Sequence, residues 1–141
     1  MLEITVDDAA VRAALHALQA RLGDLTSPFQ DLGESLLNST RARFSQMAAP
    51  DGTPWAALSP AYRKTKPKHK DLVLTLNGYL RGTLAYQASP HALRLGSPMV
   101  YAAQHQFGNP ARHLPARPFL GLSEADRQEI LATLRDWMLP G

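Results

Sequence analysis

The chain contains no cysteine, which excludes disulfide scaffolds, thiolate zinc sites and cysteine nucleophiles while leaving the redox compartment open. No apolar run approaches the ~18 residues of a membrane span. The opening stretch, Met1 to Asp8, lacks both the basic region and the apolar core of a signal peptide. A soluble chain made in the cytoplasm, with no membrane partner, is therefore expected. Phosphate cradles are missing too, since neither G-x-G-x-x-G nor G-x-x-x-x-G-K-[ST] occurs, and no G-x-S-x-G elbow presents a serine. Acids are absent from Leu72 to Ser123. The five histidines, His16, His69, His91, His105 and His113, are scattered, and no pair has the spacing that converges ligands from one helix face. An enzyme would need acid, base and nucleophile together. The expectation is a non-enzymatic protein with no cofactor, no metal and no small-molecule substrate.

What the chain does have is enough apolar material for a core: 141 residues, 45% hydrophobic and 19% charged. Global disorder needs the opposite balance. A chain of this length suits one domain, taken as residues 1–141, and buries enough surface to need no covalent staple. The charge is unevenly spread. Residues 1–51 carry a net −3, residues 52–123 a net +8 and residues 124–141 a net −2. All lysines fall in one segment, Lys64, Lys66, Lys68 and Lys70, where Pro67 interrupts any regular helix. This segment reads as a solvated basic loop, or alternatively as a contact for DNA or an acidic partner. It lacks the interleaved aromatics that base readout would use.

Leu2, Ile4 and Val6 alternate as in a short strand, and Asp7-Asp8 offers a cap for a helix whose face is Val11, Ala14, Leu15, Leu18 and Leu22, with Gly23 as its stop. Ser27-Pro28 predicts a second start, with Ser27 as cap and Pro28 at the first helical position. Phe29, Leu32, Leu36, Leu37, Thr40 and Phe44 carry that helix to about Met47. Pro50-Asp51-Gly52 is a turn, and Ser59-Pro60 starts a helical turn through Arg63. A short helix is expected about residues 73–81. A β-hairpin follows, Thr83 to Ala88 and Leu93 to Gly96 about the turn Ser89-Pro90-His91. Met99 to Phe107 reads as a short helix ended by Gly108-Asn109-Pro110, and Pro115 and Pro118 hold the next stretch extended. Ser123 opens a last helix in a capping-box pattern with Asp126, and Ile130, Leu134, Trp137 and Met138 form its buried face. The order predicts an α+β fold, helices packed on a small antiparallel sheet with a β-hairpin.

The most distinctive stretch is Tyr101-Ala-Ala-Gln-His-Gln-Phe-Gly108 followed by Pro115-Ala-Arg-Pro-Phe-Leu-Gly121. Aromatics, an arginine and stiff prolines concentrate there without an acid. Tyr101, His105, Gln106, Phe107, Arg117, Pro118 and Phe119 are the candidate protein-interaction residues. The simpler alternative is that Tyr101, Phe107 and Phe119 are core and the prolines only shape a loop. His105 and His113 read as structural or interface residues.

At these residues the chain resembles the Mu-like phage virion morphogenesis family, the tail completion proteins. Arg41-Ala-Arg-Phe44 ahead of Pro50-Asp-Gly-Thr-Pro-Trp55 with Leu58-Ser59, and Leu76-Asn-Gly-Tyr-Leu80, resemble further family segments in the family's order. Asn77 stands where Thr is common and Leu114 where Ile is usual. The resemblance implies a structural phage or prophage protein that completes the tail or joins it to the head. Its partners would be other copies of itself in a ring at the neck and other head-neck or tail proteins, with non-specific contact to genomic DNA as an option. It would be found in the virion after assembly in the host cytoplasm. A small basic nucleic-acid-binding module is the alternative, and a hydrolase using His105 comes after it.

Overall fold

The computed structural model describes residues 8–56, 79–98, 102–112 and 115–139. Helix α1 spans Ala9–Leu22; the Asp8 carboxylate accepts from the Val11 amide at 3.0 Å, and Gly23 ends the helix at a φ of +74°. That cap is the main reason the Asp8 carboxyl sits below its usual range, with a hydrogen bond from Arg127 adding to it. Helix α2 spans Thr26–Gln46 and begins earlier than Ser27-Pro28 predicts. Asp24 accepts from both the Thr26 amide (2.8 Å) and the Thr26 hydroxyl (2.6 Å), so the carboxylate before the helix sets its start and not Ser27. Pro28 then occupies the third helical position, where its missing N–H is still one of the orphan amides of a first turn. Met47, with φ of +54°, closes α2.

The chain turns at Pro50-Asp51-Gly52 as expected. Asp51 accepts from the Thr53 amide, Gly52 donates to Ala49, and Trp55 donates through its backbone to Met47 at 2.7 Å, which brings the indole back to the end of α2. Helix α3 is described over Tyr79–Gly82. Strands β1 (Ala85–Ala88) and β2 (Leu93–Gly96) pair antiparallel with Tyr86 opposite Leu95. The Leu25 amide donates to Pro90 at 3.1 Å, tying the hairpin turn to the α1–α2 corner. Helix α4 (Ala102–Phe107) and a 3-10 turn (Pro110–Arg112) follow, and α5 spans Glu124–Met138. The expected capping box is present: Ser123 accepts from the Asp126 amide and Asp126 accepts from the Ser123 amide.

The fold is thus mixed α+β, mostly helical, with one antiparallel hairpin packed against α2. Two apolar clusters lie along α2. Near its start, Leu25, Phe29 and Leu32 meet Leu18 of α1 and Ile130 and Leu134 of α5. Near its end, Leu37 and Phe44 meet Trp55, Leu80, Leu84, Ala102, Phe119 and Leu120. Helices α1 and α5 run side by side in the same direction: Arg127 bonds Asp8 at 2.6 Å at one end, and the Arg21 guanidinium reaches the Met138 and Leu139 carbonyls at the other. The expected strand at residues 2–6, the turn at 59–63, the first part of the helix about 73–81 and the start of the 99–107 helix lie outside the described residues. Among the described residues no helix is long and apolar enough to cross a membrane.

Candidate functional site

The segment Pro115 to Gly121 is extended, so its backbone groups have no ladder to pair with. Buried backbone groups nevertheless need partners. Side chains from three other parts of the chain supply them. Gln106, on the inner face of α4, accepts from the Phe119 amide at 2.9 Å and the Leu120 amide at 3.0 Å, and donates to the Leu120 carbonyl at 3.0 Å. The Trp55 indole N–H donates to the Pro118 carbonyl at 2.7 Å. Arg43, buried on α2, donates to the Phe119 carbonyl at 2.7 Å. The Arg117 amide donates to the His105 carbonyl at 2.6 Å, and its Nε to the Ala56 carbonyl at 2.8 Å.

Beneath this strap the Phe119 ring is fully buried against Phe44 (centroids 5.7 Å apart), and Phe44 meets Trp55 edge-on at 5.4 Å. Such aromatic pairs stabilise by about 0.5–1.5 kcal/mol beyond area burial. Gly121 takes φ of +143°, and a Cβ there would stand 3.0 Å from the Pro50 ring, so the Pro50-Asp51-Gly52 turn packs directly on the end of the strap. Four stretches of the sequence signature, at Arg43-Phe44, Pro50 to Trp55, Gln106 and Arg117 to Gly121, therefore meet at one node, and Leu80 of a fifth packs in the same cluster.

Arg43 also forms a buried ion pair with Asp126. The same carboxylate accepts from the Ser39 hydroxyl at 2.5 Å and the Ser123 amide at 3.0 Å, so one buried acid holds α2, the strap and the start of α5. Burial draws the Arg43 pKa down and Asp126 pushes it back. Sequence reasoning missed this pair. The available signal was Arg43 falling on the same helical face as Leu36, Thr40 and Phe44, where a surface arginine does not belong.

Of the seven candidate interaction residues, Gln106, Arg117 and Phe119 are buried and bonded within the chain, and His105 and Pro118 are half-buried. Phe107 points outward and is 62% exposed. Tyr101, together with Lys64, Lys66, Lys68, Lys70 and His113, lies outside the described residues. Burial is the first cause that lowers the His105 pKa, and the nearby Arg117 charge is the second. Both effects disfavour the protonated imidazolium. Among the described residues no group of three or more His, Asp or Glu is placed to hold a metal ion.

Comparison with known proteins bears on this node. The model of the phage virion morphogenesis family matches residues 6–139. Protein G of Escherichia phage Mu, whose name ties it to capsid assembly, is 32% identical over 145 residues, covering 95% of this chain and 92% of that protein. The Mu-like prophage FluMu G protein 1 of Haemophilus influenzae is 33% identical over 95 residues, 64% of each chain. No solved structure matches.

Proposed function

We propose, from the premise that the chain belongs to the phage virion morphogenesis family, that it is a structural subunit that completes the tail or joins it to the head. It acts as one copy in a ring at the neck, and it is not an enzyme. The observation that carries this reading is the convergence of the signature residues on the strap. Gln106, Trp55, Arg43 and Arg117 direct their polar groups at backbone carbonyls and amides of the same chain. Groups used in that way hold a segment without regular secondary structure in one shape, which is what a joint between large assemblies requires. The Mu relative is named for capsid assembly, and a neck is where capsid and tail meet, so the two descriptions are compatible.

The test is to image particles carrying a tagged copy of this chain, alongside particles made without it. A ring at the neck, and separate heads and tails in its absence, are expected. Tagged protein in the capsid shell, or missing from finished particles, would overturn the reading. The lysine segment supports one second reading, a sequence-blind contact with DNA. Affinity for duplex DNA should then be weak and fall steeply with salt. Salt-resistant, sequence-selective binding would instead favour a nucleic-acid-binding module.

A further inference from the structure

We draw no further inference here: the strongest candidate, the exposed Phe107 side chain at the close of α4 beside the strap, carries nothing, because nothing in the structure shows what covers it.

Discussion

Alanine at position 106 would strip partners from the Phe119 amide, the Leu120 amide and the Leu120 carbonyl at once. A buried polar group left unpaired costs about 1–3 kcal/mol. Since a small side chain also admits some water, Gln106→Ala should lower the urea-unfolding free energy by about 2–4 kcal/mol. Gln106→Met keeps the volume and loses the hydrogen bonds, so it should cost nearly as much; wild-type stability in the methionine variant would show that packing, not polar satisfaction, holds the strap. His105 supports a second expectation. Burial and the Arg117 charge depress its pKa in the fold, while the unfolded chain titrates near the ordinary 6.5. Between those two values the unfolded state binds more protons, so the contribution to stability is complete above 6.5 and is lost as pH falls below it. The melting temperature of wild type should therefore drop more steeply below about pH 6.5 than that of His105→Gln. Parallel curves for the two proteins would remove His105 from the account.

Helix α2 meets the hairpin at Gly33, where an added Cβ would lie 2.3 Å from the Tyr86 ring. Alanine is ordinarily better than glycine inside a helix by about 0.8–1.0 kcal/mol. Here the ring stands in the way, and overpacking a filled contact costs about 1–3 kcal/mol. Gly33→Ala should thus destabilise the wild-type protein, yet stabilise a Tyr86→Ala background by up to about 1 kcal/mol, where only the helix preference remains. The same sign in both backgrounds, read from denaturation midpoints, would refute the contact. The elements themselves were legible because their signals are local: the apolar face of α1 and α2, the Ser89-Pro90-His91 turn and the Ser123–Asp126 box each lie within one element. The start of α2 was misplaced because Ser27-Pro28 is a sound cap signal that Asp24 pre-empts through Thr26. The strap was only half legible. Pro115 and Pro118 announce an extended chain, but nothing in sequence tells which distant side chains satisfy it. Arg43 is 76 residues from Phe119 and Trp55 is 63 from Pro118.

One long helix connects the two apolar clusters, and the chain's two tryptophans divide between them: Trp55 sits with Phe44 and Phe119, and Trp137 packs against the Leu18–Leu134 cluster. Each indole is therefore a private reporter of one half of the core. If the halves were held only by short connections, they could unfold separately. Several ties argue against that. Helix α2 places side chains in both clusters without a break, and Asp126 at the head of α5 is bonded to Arg43 near the end of α2. At the other end of α5, Trp137 donates to Asp31 near the start of α2. Melting one cluster would fray the helix on which the other is built, and breaking the buried ion pair would leave a charge without its partner, a cost of about 3–5 kcal/mol. The two halves should accordingly unfold in one cooperative step, as most small domains do. The check uses Trp137→Phe, which leaves Trp55 to report, and Trp55→Phe, which leaves Trp137. Within each variant the fluorescence midpoint in urea should coincide with the helical midpoint by circular dichroism, whatever the overall loss of stability. A fluorescence transition that clearly precedes the loss of helix in either variant would mean that its cluster opens alone, and that α2 does not couple them.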